Sequence, residues 1–72
     1  LLFPGQPLRE VLATLERYRR GRILVLDNAA ADQQVSGIFD LKDTDQALRV
    51  LAESLPVSVT HLTDLMVIVR SR

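Results

Sequence analysis

The sequence predicts a small α+β domain made of two βαβ halves followed by one extra strand, with two helices packed with small sheets. Three observations support this: apolar positions recur at an offset of 36 residues, each copy contains a stretch of helical spacing, and the last apolar run has the length of a strand. The superposed pairs are Leu2 with Ile38, Phe3 with Phe39, Val11 with Ala47, Leu12 with Leu48, Leu15 with Leu51, Ile23 with Val59 and Leu26 with Leu62.

The size and composition fit one domain over residues 1–72, in which about 60% of the unfolded surface becomes buried. The chain has no cysteine, which excludes disulfides and thiolate metal sites. Its net charge is zero, so strong non-specific attraction to nucleic acid or membrane is not expected. No apolar run is long enough to span a bilayer. Because the chain starts at Leu1 without Met, we expect a fragment of a longer protein.

In the first half, a strand over residues 1–3 and a turn over residues 4–7 lead into a helix predicted from Pro7 to about Arg19. Its buried stripe, at spacings of three and four, consists of Leu8, Val11, Leu12, Leu15 and Tyr18. Gly21 is expected to take the left-handed conformation that ends a helix. A buried strand over residues 23–26 and a polar, Ala-rich connection over residues 27–34 follow.

In the second half, residues 35–41 read as a strand in which Gly37 marks a bulge or a close backbone approach. Asp43 or Thr44 caps a helix that runs to about Ser54, and Val50 lies on its exposed flank. The buried stripe of this helix consists of Ala47, Leu48, Leu51 and Leu55. Strands over residues 57–60 and 65–70, joined by a hairpin at residues 63–64, complete the domain.

The side chains that could act as catalytic groups or ligands do not indicate an enzyme active site, a metal site or a cofactor site. Ser58 and His61 are three residues apart on a strand and point to opposite faces, so a triad with Asp64 is not expected. Asp43 and Asp45 are better explained by helix capping and the helix dipole than by calcium binding. The three glycines are isolated, so there is no phosphate-binding loop.

The one concentration of charge is the segment 17–22, which holds four arginines and Tyr18. Three interpretations remain open for it. The arginines form a solvated helix end, or they meet acidic groups of a protein partner, or they bind nucleic acid with the tyrosine stacking on a base. The zero net charge favours the first interpretation.

Five segments resemble the C-terminal periplasmic domain of FecR-like anti-sigma regulators of iron and siderophore uptake. They are the residues 3–12, 17–21 (Arg-Tyr-Arg-Arg-Gly), 35–41 (Val-Ser-Gly-Ile-Phe-Asp-Leu), 43–48 and 55–57. The related secretin and TonB short N-terminal (STN) domain is the close alternative. Its usual Gly-Thr-Gly-Leu-like turn is replaced here by residues 53–57, Glu-Ser-Leu-Pro-Val, which favours the FecR-like side.

The resemblance implies a module in the periplasm of a Gram-negative bacterium, part of a single-span inner-membrane protein. Its partner would be the N-terminal signalling domain of a TonB-dependent siderophore transducer. No cofactor, no nucleic acid and no direct membrane contact by this segment are expected. The residues expected to determine the fold are Phe3, Leu12, Leu15, Gly37, Phe39, Leu48 and Leu51.

The docking surface is predicted from the apolar character of both faces of the last strand. Such a strand is covered on both faces, or it keeps one face or edge for a partner. We expect the partner to dock on that edge or spare face, with Val67 and Val69 central. Val50, Arg17 and Arg20 are second candidates. The same strand could pair with its own copy in a homodimer.

Overall fold

The structure, a computed structural model, describes residues 2–72. Leu1, the first residue of the predicted first strand, lies outside them. The elements are β1 (Leu2–Pro7), α1 (Leu8–Glu16), β2 (Arg22–Val25), α2 (Asn28–Ala31), β3 (Gln34–Ile38), α3 (Thr44–Ser54), β4 (Val57–Thr63) and β5 (Met66–Ser71). The α+β class and the order of two βαβ halves followed by one strand are confirmed, and α2 is a third, short helix.

The strands form two small sheets. β1 pairs with β3 in an antiparallel sheet of two strands. The other sheet has the order β2-β5-β4, in which β5 is parallel to β2 and antiparallel to β4. The last strand is therefore the central strand of its sheet, and both of its edges are paired.

The internal repeat becomes an approximate twofold arrangement of the two halves. β1 and β3 are equivalent at the offset of 36 residues, and they pair with each other so that Leu2 lies opposite Ile38. β2 and β4 are the other equivalent strands, and they flank β5 in opposite directions. A twofold axis perpendicular to the strands reverses their direction, and the strands of both equivalent pairs do run in opposite directions. β5 has no counterpart and fills the position between the halves.

The core lies between the helices and the inner faces of both sheets. Equivalent helix positions are buried in both halves: Val11 with Ala47, Leu12 with Leu48, and Leu15 with Leu51. Phe3 is also buried, whereas Phe39 is half-buried and contacts it in a tilted arrangement, with ring centroids 5.7 Å apart and an interplanar angle of 55°. Equivalent residues outside the core agree as well, because Leu26 and Leu62 are both exposed.

Several predicted boundaries were wrong. β1 continues through the predicted turn to Pro7, which is possible because prolines are tolerated in an edge strand. α1 ends at Glu16, so the arginines follow the helix rather than forming its last turn. β3 ends at Ile38 and β4 extends to Thr63.

The connection predicted for residues 27–34 contains α2. The Asp27 carboxylate caps this helix by accepting a hydrogen bond of 2.8 Å from the Ala30 backbone N–H. Ala30 and Ala31 are buried, so the alanines are core residues and not linker. The same carboxylate accepts hydrogen bonds of 3.1 Å from the backbone N–H and the hydroxyl of Ser71. Asp27 therefore joins α2 to the end of β5.

Two glycines differ from expectation in an informative way. Gly21 has the predicted positive φ, +87°, but it lies beyond the end of α1, where its backbone approaches Leu65 so closely that a Cβ would overlap that residue's backbone. Gly37 has φ of +141° and lies opposite Phe3. The bulge of this sheet falls in β1, between Pro4 and Gln6, so of the two possibilities predicted for Gly37 the bulge was wrong. A close backbone approach is not seen either, because a Cβ at Gly37 would meet only the Phe39 ring, at 3.7 Å.

Candidate protein-interaction site

The docking surface predicted on the last strand does not match the structure. Val67 and Val69 are 0% and 1% exposed, because their side chains point into the core. The edge of β5 is also unavailable, since β2 and β4 pair with its two sides. The prediction that Val67 and Val69 are central to docking was therefore wrong. The possibility that this strand pairs with its own copy is also excluded, because neither edge of β5 is free.

The spare apolar face belongs to the alternate residues of the three-stranded sheet. Met66 and Ile68 on β5 lie on the face opposite to Val67 and Val69. Leu24 of β2 pairs with Ile68 and therefore lies beside it on the same face. A shallow depression on this face is lined by Leu26, Thr60, Leu62, Ile68 and Arg70. The alternation of side chains along β5 predicted that both faces of this strand are apolar. Only the position of the helices determines which of the two faces is covered.

A second apolar surface lies between β3 and α3, where a groove of about 410 Å³ separates the strand from the helix. Its apolar lining consists of Val35, Gly37, Ile38, Phe39, Ala47, Val50, Leu51 and Leu55. Its polar lining consists of Gln34, Ser36, Asp40, Gln46 and Ser54. Val50, a second candidate in the sequence, is half-buried on this surface. We call this surface the β3–α3 groove.

The equivalent place in the first half is closed. α1 packs against β1, β2 and β3, whereas α3 packs mainly against β4. At the offset of 36 residues, Val50 corresponds to Thr14 and Leu55 to Arg19, which are polar. The groove is thus a feature of one half only, and the sequence signal for it is the replacement of these polar residues by apolar ones.

The arginine-rich segment divides into one structural and three exposed residues. Arg19 is half-buried, and its guanidinium donates hydrogen bonds to the Asp45 carboxylate at 2.8 Å and to the Thr44 hydroxyl at 3.3 Å. It thereby links the segment after α1 to the start of α3. Arg17, Arg20 and Arg22 are exposed, and none of them forms an ion pair within the described residues. These three remain available to a partner.

Asp45 is the centre of this link between the halves. The hydrogen bond from Arg19 lowers the pKa of the Asp45 carboxyl below its usual value, and the charge of Arg19 and the neighbouring His61 add to the effect. His61 Nε2 lies 3.6 Å from the same carboxylate oxygen. The Asp27 pKa is lowered too, chiefly by the backbone N–H groups of Ala30 and Ser71.

Between residues 2 and 72, no three His, Cys, Asp or Glu side chains are grouped closely enough to hold a metal ion. Asp43 caps α3 as predicted, since its carboxylate accepts a hydrogen bond of 3.1 Å from the Gln46 N–H. None of the helices described for this chain has the length and apolar character needed to cross a membrane.

Among the described residues, the surfaces that a partner could contact are therefore the β3–α3 groove, the outer face of the β2-β5-β4 sheet and the three exposed arginines. Of the sequence candidates, Val50 lines the groove, while Arg17 and Arg20 lie in the segment after α1. Neither a model of a known protein family nor a curated protein sequence matches this chain.

Proposed function

We propose that this chain is the periplasmic protein-interaction module of a transmembrane anti-sigma regulator. It receives the siderophore signal from the N-terminal signalling domain of a TonB-dependent outer-membrane transducer. The support is the resemblance of the five segments in residues 3–57 to FecR-like regulators, together with the α+β fold of two βαβ halves that this resemblance implied.

The observation that carries the proposal is the β3–α3 groove. A domain of 72 residues has little apolar surface to spare, yet this one leaves Val50 and Leu55 only partly covered beside a strand edge. Uncovered apolar surfaces of this kind mark binding sites for proteins or ligands. The groove contains no histidine and no arrangement of nucleophile and base, so binding is the activity that its lining supports.

The test is a calorimetric titration of the domain with the signalling domain of a TonB-dependent transducer from the same genome. We expect saturable binding with a one-to-one stoichiometry. An oligonucleotide titrated at two salt concentrations is the control, because nucleic-acid binding through the arginines would weaken steeply with salt. Absence of binding to the signalling domain by a folded sample would contradict the proposal.

The alternative is that the chain is itself the signalling domain of a transducer or a secretin. Titration with the periplasmic region of an anti-sigma regulator from the same genome distinguishes the two. Binding to that region, without binding to the transducer domain, would assign the chain to the transducer side.

A further inference from the structure

We propose that the β3–α3 groove accepts an extended segment of the partner, which adds to β3 as a third strand of the β1–β3 sheet. This inference rests on the proposed function, since it specifies how the transducer signalling domain is held. The occupant is an apolar strand with a lysine or arginine at the end that meets Asp40.

The first argument is the backbone of β3. Within residues 2–72, β3 pairs with β1 on one side only, and the groove lies along its other side. In an antiparallel pair, every second residue directs its N–H and C=O away from the neighbouring strand. Alternate residues of the five in β3 therefore direct their N–H and C=O groups towards the groove, and a strand is the chemical complement of such an edge.

The second argument is that the two edges of this sheet are protected differently. β1 contains Pro4, Pro7 and a bulge, which are features that prevent strand addition. β3 has no proline and no bulge of its own. An open edge beside an apolar groove is what β-strand addition requires, whereas the blocked edge of β1 does not offer it.

The third argument is the shape and lining of the groove. Adjacent strands are spaced about 4.8 Å apart, so a strand added to β3 would lie in the groove that is lined by β3 and α3. Every second side chain of that strand would then point towards the helix and contact Val50 and Leu55. Phe39, half-buried on the Phe3 ring, lies on the same surface.

The fourth argument is charge. Asp40 is the charged side chain among the described residues that line the groove, and no lysine or arginine of residues 2–72 lines it. Asp40 follows the end of β3 and precedes α3, so the negative charge belongs to the end of the groove where β3 stops. This polarity favours a segment with a cation at that end and disfavours an acidic one.

The experiment uses the transducer signalling domain as the probe and two variants at equivalent helix positions. Val50→Asp places a carboxylate in the groove, and Thr14→Asp places one at the matching position of α1. We expect Val50→Asp to weaken binding about 30-fold and Thr14→Asp to leave it unchanged within about twofold. Circular dichroism verifies that both variants fold. If Val50→Asp unfolds, Ser54→Asp replaces it, because Ser54 is an exposed residue that also lines the groove.

Amide hydrogen exchange provides the readout specific to strand addition. Binding should slow exchange at amides of residues 34–38 while leaving the free edge of β4 unchanged. Asp40→Asn, which keeps the side-chain oxygen that accepts from the Lys42 N–H, should weaken binding about threefold at low salt and less at high salt.

The outcomes separate this inference from the proposed function. Binding that persists in Val50→Asp, or that leaves the β3 amides unprotected, would overturn strand addition while supporting the receiver role. Loss of binding in Ile68→Asp alone would assign the contact to the outer sheet face. Protection of β3 in the isolated domain, with a dimer in sedimentation, would make a second copy the occupant. Absence of any binding would overturn both proposals.

Discussion

The two halves of this domain share an order of elements and a core pattern, but they differ in how the helix meets the preceding strand. In the first half, α1 packs on β1, and Phe3 is buried beneath it. In the second half, α3 stands away from β3, and Phe39 is only half-buried. The same βαβ unit therefore closes around its own core in one copy and leaves a groove in the other.

This difference shows that burial of the equivalent core positions is sufficient to pack each helix onto the domain. Leu12 and Leu15 in α1 and their equivalents Leu48 and Leu51 in α3 all lie in the core. Positions outside this set are free to vary, which is why Thr14 and Val50 can differ in character without changing the fold.

The largest effect is expected where the halves meet β5. Gly21→Ala should destabilise the fold by about 5 kcal/mol, because the new Cβ would overlap the Leu65 backbone in a residue with φ of +87°. Gly37→Ala is the matched control and should cost about 1 kcal/mol, since a Cβ there would meet the Phe39 ring at an ordinary contact distance of 3.7 Å and only the backbone angle is strained. Urea unfolding of both variants measures this, and equal costs would contradict the close approach at Gly21.

The next test compares equivalent leucines of the two helices. Leu15→Ala should cost about 4 kcal/mol and Leu51→Ala about 2.5 kcal/mol. Both side chains are buried, but Leu51 also lines the groove, so the structure around it can relax more easily. The measurement is the free energy of unfolding in urea at low temperature. A larger loss for Leu51→Ala would mean that the second half is packed as tightly as the first.

A smaller effect is expected from pH, through the carboxylate that links the halves. The pKa of Asp45 is lowered in the folded state, so the unfolded chain binds more protons as the pH falls. The stabilisation is present above the unfolded value of 3.8 and is lost as pH falls through the lowered folded pKa. Because Asp45 is exposed, we expect a loss of less than about 1 kcal/mol from this residue.

Urea unfolding at pH 6 and pH 3 measures this loss. The Asp45→Asn variant should show a smaller decrease in stability than the original chain over this range. Asp64→Asn, which removes an exposed carboxylate in the turn before β5, is the control and should leave the decrease unchanged. An unaltered decrease in Asp45→Asn would contradict the role of the Arg19 hydrogen bond.

The smallest effect on stability is expected from exchanging the residues that distinguish the halves. Val50→Thr introduces the first-half residue into the groove and should change the free energy of unfolding by about 0.5 kcal/mol. Binding of the transducer signalling domain should weaken about threefold, as measured by calorimetry, because apolar contact is lost. Thr14→Val, the reciprocal change, should leave the affinity unchanged.

Much of the fold could be predicted because its signals are local. The helical stripe containing Leu48 and Leu51, the cap at Asp43 and the alternation in residues 57–60 each lie within one element. The missed features depend on contacts between distant residues. Asp27 and Ala30 lie in a segment with the composition of a linker, but Asp27 bonds to Ser71 and Ala30 packs in the core. β1 extends through Pro4 because β3 pairs with it.

The candidate site was harder to predict than the fold. Val50 was identified because it lies on the flank of a helical stripe, and its place in the groove agrees with that. Val67 and Val69 were misassigned because a strand that is apolar on both faces gives no indication of which face the helices cover. The neighbouring Met66 and Ile68 are only partly buried, and they lie on the open face.

The sequence by itself determined the repeat, the helical stripes and the class of the fold, because hydrophobic periodicity is a property of each segment. The tertiary structure alone decided that β5 lies between β2 and β4, that Val67 and Val69 face the core, and that α3 stands away from β3. These outcomes depend on which strands pair and where the helices lie, and the free energy of such pairing comes from residues far apart in the chain.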